Sequence, residues 1–165
     1  MTVGAQQMTP DEHYKLLGKL VGNLQSLEFI LRGFLHGLSS PRPDGIPYGT
    51  DWYSFPVDHE VPLDEFTNYD TLGELIRKFN EEMGRRSAPA IDGKGLVALR
   101  DALAHGRVSS NSPVGDMRLL KFSNHRRGDR VVRVVFNEQM TKAWFQDQIA
   151  RVHRAILAVN KVMPG

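Results

Sequence analysis

Apolar positions recur at steps of three and four over four separate stretches of the chain, and that spacing predicts four amphipathic helices. The first starts at Thr9-Pro10-Asp11-Glu12, where Thr9 suits the N-cap, Pro10 the first helical position and Glu12 the far side of a capping box. Behind it Tyr14, Leu17, Val21, Leu24, Leu31, Phe34, Leu35 and Leu38 form a stripe, widened by Leu20 and Leu27, with His13 on the polar face. Gly37 and Ser39-Ser40-Pro41 stop it. The second, Thr71–Met83, pairs Thr71 with Glu74 in another capping box and turns Leu72, Leu75, Ile76 and Phe79 inward. The third, Lys94–His105, presents Leu96, Val97, Leu99, Leu103 and Ala104, and Gly106 is expected to close it in a left-handed conformation. The fourth runs from about Gln139 to Val162 behind an Asn137 cap, with Met140, Trp144, Ile149, Val152, Ile156, Val159 and Met163 as its stripe.

The intervening segments differ from one another. Residues 39–70 hold five of the nine prolines together with acids and the aromatics Tyr48, Trp52, Tyr53, Phe55, Phe66 and Tyr69. No period survives there, yet the aromatic content argues against disorder, so the segment is expected to wrap over the helices or contact a partner. Met117–Phe122 and Arg130–Phe136 read as strands joined by the hairpin loop SNHRRGD. Four helices with one apolar stripe each bury those stripes most simply against one another. The expected fold is mainly α: an up-down four-helix bundle with a β-hairpin inserted between helices three and four and a long Pro-rich loop between helices one and two. At 165 residues, one domain over 1–165 is the expectation.

Composition narrows the function classes. There is no cysteine, hence no disulfide framework, thiolate zinc site or cysteine nucleophile. No run approaches the roughly 18 apolar residues that span a bilayer, and the start MTVGAQQ lacks a signal-like pattern, so a cytoplasmic protein without membrane attachment is expected. The formal net charge of +2 conceals a polarity, −5 over residues 1–99 and +7 over residues 100–165. A basic C-terminal third attracts polyanions, and an acidic first half attracts basic surfaces, a second copy included; the same blocks also serve simply to solvate exposed faces.

The densest candidate chemistry lies in Ala98–Arg107, ALRDALAHGR. Asp101 and His105 stand four residues apart, facing one another across a helical turn, and the last turn of a helix favours a cation. Both effects suit His105 to general acid–base work near neutrality. Arg100 lies five positions before His105, about 140° around an ideal helix, so the two converge only if the last turn tightens or unwinds, or if a substrate reaches across both. A guanidinium at Arg100 or Arg107 can hold a phosphate at two points. The plainer alternative makes Asp101–His105 a capping pair at a His-Gly helix end.

RDALAH, Arg100–His105, resembles the R-x4-6-H signature of the HEPN superfamily, with Asp101 as the polar residue that follows the arginine, and LRDALAHGRV resembles the wider motif of bacterial HEPN-like proteins. The order of helices agrees over about residues 9–163, the 39–70 segment excepted. The resemblance implies a homodimeric, metal-independent endoribonuclease that needs no cofactor and cleaves RNA by 2′-hydroxyl attack. His105 would act as general acid or base, Arg100 would stabilise the pentacovalent phosphate, and Asp101 would orient its neighbours. It also implies a place in a toxin–antitoxin or defence system, with an antitoxin protein as a further partner. Some members of the family are non-catalytic RNA- or protein-binding modules.

Other residues carry weaker expectations. Arg126 and Arg127 at the hairpin tip, with Lys121, Arg130 and Arg107, are candidates for gripping an RNA backbone, and a solvated turn is the equal alternative. The six histidines show no metal-binding spacing on a helix, and no metal site is expected. Gly93-Lys94-Gly95 lacks the full phosphate-loop pattern and reads as a helix entry. Trp144, Phe145 and Ile149 read as core or dimer interface.

Overall fold

The computed structural model describes residues 8–39, 46, 47, 49–110 and 117–164; Ser40, Pro41, Pro43 and Tyr48 of the expected helix stop and loop, and the N-terminal MTVGAQQ, lie outside them. Four helices are present, α1 Pro10–Ser39, α2 Leu72–Arg85, α3 Gly93–His105 and α4 Lys142–Asn160. Three strands, β1 Arg107–Ser109, β2 Arg118–Phe122 and β3 Val134–Gln139, form a small antiparallel sheet in the order β1-β2-β3. The protein is thus mainly helical with a small sheet. The chain divides into two compact units, residues 1–24 with 94–153 and residues 25–93 with 154–165.

The helix starts follow local chemistry. Ahead of α1, the Thr9 backbone N–H donates to Glu12 Oε2 at 2.9 Å and Glu12 N–H donates back to Thr9 Oγ1 at 3.2 Å. Thr71 and Glu74 repeat this exchange ahead of α2 at 2.7 and 3.3 Å. Hydrogen bonds donated by Thr9 and Thr71, from the backbone N–H first and the side-chain O–H second, hold the Glu12 and Glu74 carboxyls below their ordinary value.

The α1 stripe differs from the expectation. His13, Leu20, Leu24, Leu27, Leu31, Phe34 and Leu35 are buried, whereas Tyr14, Val21 and Leu38 are exposed. Steps of seven residues return to almost the same angle on a helix, which sets His13 in line with Leu20, Leu27 and Phe34 rather than on the polar face. In the first unit the His13 ring meets the Phe145 ring edge-on with centroids 5.0 Å apart. α2 buries all four expected residues and adds Met83. α3 buries Leu96, Leu99 and Ala102, while Ala104 is exposed.

The sheet is larger than a hairpin. β1 was not foreseen: Arg107–Ser109 leave α3 after one intervening residue and pair with Arg118–Leu120. β3 lies further along than expected, because Asn137, Glu138 and Gln139 pair with Leu120, Leu119 and Arg118. Asn137 therefore does not cap α4. Thr141 does so instead, its Oγ1 accepting from Trp144 N–H at 3.1 Å. A register shift at Lys121/Phe122 interrupts the β2–β3 ladder, and Gly128, at φ 101°, supplies the left-handed residue of the connecting turn.

Gly106 ends α3 for a reason other than the expected one, since its φ is not positive. Its N–H donates to Ala102 O at 2.7 Å, and a Cβ there would collide with that carbonyl and come within 2.8 Å of Leu119 Cδ1. Glycine is required first by the close approach of the Ala102 carbonyl and then by that of β2, not by backbone sign.

In the second unit, residues 49–70 form a strap over the second half of α1 with a single 3-10 turn, Trp52–Ser54. Trp52 stacks on Phe66 at 4.0 Å, and Phe66 meets Phe29 of α1 edge-on at 5.1 Å. Arg32 donates to Asn68 O, Asn68 Oδ1 and Asp70 O at 2.6–2.9 Å, and His36 Nδ1 lies 2.8 Å from Asp64 Oδ2. Lys78 of α2 sits between Asp70 and Glu65, both at 2.7 Å, and these carboxylates, Asp70 foremost, raise its proton affinity. Wrapping over the helices was one of two expectations for this segment, and residues 49–70 take that form against α1 and α2.

Two outcomes test these assignments. Gly106→Ala is expected to destabilise the protein by about 1–3 kcal/mol, read as a lower urea midpoint at unchanged slope. For Glu12→Gln and Glu74→Gln the sign follows from a depressed native proton affinity: the carboxylates stabilise above their unfolded value, near 4.5, and that contribution is lost as pH falls through the lower native one. The midpoint gap between wild type and each variant is therefore expected at neutral pH and should close in acid; a gap independent of pH would contradict the capping assignment.

Candidate functional site

α3 continues without interruption to His105, and its buried residues Leu96, Leu99 and Ala102 orient it. Advancing about 100° per residue, it delivers Asp101 and His105 to one side and leaves Arg100 about 140° from His105. The last turn does not unwind to bring those two together. Arg100 is half-buried.

The Asp101 carboxylate lies between the His105 imidazole and the Lys121 ammonium. Its Oδ1 is 3.7 Å from His105 Nε2, and its Oδ2 accepts a hydrogen bond from Lys121 Nζ of β2. Their side chains are graded in exposure: His105 65%, Asp101 42% and Lys121 14%. The imidazole thus projects into solvent, while the ammonium sits at the base of the cluster.

The order of the sheet explains this placement. β1 leaves α3 directly and pairs Arg107 with Leu120, so β2 is drawn alongside the helix end, and Lys121 follows Leu120. Arg107 is exposed, with its guanidinium 5.2 Å from the Phe122 ring centroid. The Phe122 face orients that cation beside the same strand.

Of the residues singled out in the sequence, Asp101, His105 and Lys121 are brought together, and Arg107 lies on the adjoining strand. Arg126, Arg127 and Arg130 are exposed on the connection between β2 and β3, where Arg126 N–H donates to Asp129 Oδ2 at 2.8 Å. Among the described residues no hydrogen bond or ion pair joins them to Asp101 or His105. The Lys121–Asp101 link was not legible in the sequence, because it depends on the register of a strand beginning 17 positions after Asp101. Gly95 of the Gly-Lys-Gly segment faces the Arg151 guanidinium, and Gly93 opens the helix. Trp144 is half-buried and Phe145 fully buried.

The arrangement offers a proton-transfer group, a carboxylate and a cation on an open surface. Two concavities of the second unit, about 440 and 340 Å³, are lined by other residues, among them Lys78 and Glu82 in the first and Met83 and Leu157 in the second. Among the described residues no three His, Asp or Glu gather in a metal-binding group, and no helix is long and apolar enough to cross a membrane. No protein-family model, curated protein or solved structure matches the chain.

Proposed function

We propose that this chain is a metal-independent endoribonuclease of the HEPN type, built on an up-down four-helix bundle and acting as a homodimer in the cytoplasm. The observation that carries the reading is the exposed imidazole of His105 beside Asp101, at the end of the helix that holds RDALAH. In this reading His105 takes the proton of a ribose 2′-hydroxyl or protonates the leaving 5′-oxygen. The 2′-oxygen attacks phosphorus, the P–O5′ bond breaks, and a 2′,3′-cyclic phosphate and a 5′-hydroxyl result. Arg100 serves the phosphate from the second protomer, which answers its separation from His105 within one helix. Asp101 orients its neighbours, and Arg107, Lys121, Arg126, Arg127 and Arg130 attract the RNA backbone. An antitoxin protein that covers the site is the partner this role calls for.

A second reading is favoured by the exposed cations of the β2–β3 connection, Arg126, Arg127 and Arg130: a non-catalytic module that binds RNA or a protein.

Purified protein is expected to cleave RNA in the presence of EDTA, to leave a 2′-deoxy strand intact and to yield cyclic-phosphate ends. His105→Ala should lower kcat/KM by about a hundredfold or more while the thermal melt is retained. RNAs of varied sequence left uncut with or without added metal would remove the nuclease reading. The binding-module reading expects no cleavage, together with salt-sensitive RNA binding that Arg126→Ala/Arg127→Ala weakens.

A further inference from the structure

From the way α3 and β2 meet, we propose that Lys121 is the phosphate-binding cation of the His105 site within a single chain, with Asp101 holding it in place; the catalytic part of this inference rests on the nuclease reading above. Three observations converge. The first is geometric: α3 stays helical through His105, so Arg100 emerges about 140° from His105 around the helix of its own chain. Lys121, by contrast, reaches the site from β2 and binds one oxygen of the same carboxylate whose other oxygen faces His105.

The second is donor capacity. An ammonium has three donors. One goes to Asp101, and the others meet no partner among the described residues. The third is environment. At 14% side-chain exposure the charge is held where solvent screens it less than at the exposed Arg126, Arg127 and Arg130. Arg107 of β1, oriented by Phe122, is the other cation placed beside this strand. Asp101 is thus a positioning residue toward Lys121 as well as His105.

In the cleavage step Lys121 donates to a non-bridging phosphate oxygen, where charge builds as the 2′-oxygen–phosphorus bond forms. His105 takes the 2′-hydroxyl proton. The electron pair of the breaking P–O5′ bond leaves on the 5′-oxygen, which takes a proton from water.

The test uses the full chain and a 2′-deoxy dinucleotide, which carries the phosphodiester but cannot be cleaved by this route. NMR follows the His105 ring signals and the Lys121 side-chain signals during titration. Both are expected to shift saturably in the wild type. Lys121→Met should weaken binding by about tenfold or more, the loss of one charge-assisted hydrogen bond, and Lys121→Arg should keep it within a few fold. Dinucleotide binding unchanged in Lys121→Met, or wild-type Lys121 and His105 signals that stay in place at millimolar dinucleotide, would overturn the proposal. The wild-type titration decides even if the Met variant does not fold. RNA cleavage is scored separately: saturable shifts without cleavage support Lys121 as an anion site and remove only the nuclease reading. Cleavage by the wild type with Lys121→Met equally fast would overturn Lys121 as a catalytic residue.

Discussion

The junction at Gly106 is the constraint on which the first unit's chemistry rests. The Gly106 N–H closes α3 on Ala102 O, and the chain enters β1 at the next residue. For β2 to pair with so short a strand, Leu119 must lie against the place a side chain would occupy at position 106. Once that contact is made, the alternation of a strand assigns the rest. Leu119 is buried, and Lys121, two residues on along the same strand, meets the Asp101 carboxylate. A residue without a side chain thus determines where a cation stands two elements away.

The contact between Asp101 and His105 is weak as a source of stability. Asp101 is two-fifths exposed and His105 more so, and exposed pairs of this kind contribute from nothing to about 1 kcal/mol. The significance of the arrangement is positional. One carboxylate, fixed to a helix, faces an imidazole with one oxygen at 3.7 Å and accepts from an ammonium with the other, so two side chains from different elements share a single reference point. A functional site needs that pre-organisation more than it needs net binding energy from the pair.

What the sequence revealed followed the range of the interaction. The helices, their capping boxes at Thr9 and Thr71, and the inner face of α2 were legible, because each depends on residues within one or two turns. The errors lay where distant partners decided. His13 looked polar by type but occupies a buried heptad position against Phe145. Asn137 looked like a helix cap but is committed to a ladder with Leu120. Three residues, Arg107–Ser109, are too few to carry a period, so β1 was invisible. The strap was legible as non-random from its aromatics, but not its anchors on Arg32 and His36. At the candidate site, the i, i+4 relation of Asp101 and His105 was legible and the arrival of Lys121 was not, since strand register is set by packing rather than by local signals.

The openness of the site bears on the class of substrate. The His105 side chain is nearly two-thirds exposed, so water reaches the imidazole. A polyanion gains affinity for such a surface when successive phosphates meet successive cations. The chain carries an excess of seven positive charges over residues 100–165, and on the described sheet these include Arg107, Arg118 and Lys121. DNA would satisfy that electrostatic requirement equally well. On the nuclease reading the imidazole adds a chemical requirement, a hydroxyl next to the phosphate from which a proton can be taken, and among nucleic acids only RNA carries it on every residue. On the proposed nuclease reading, charge on the sheet supplies attraction to a polyanion, and the imidazole at the end of α3 supplies the preference for RNA.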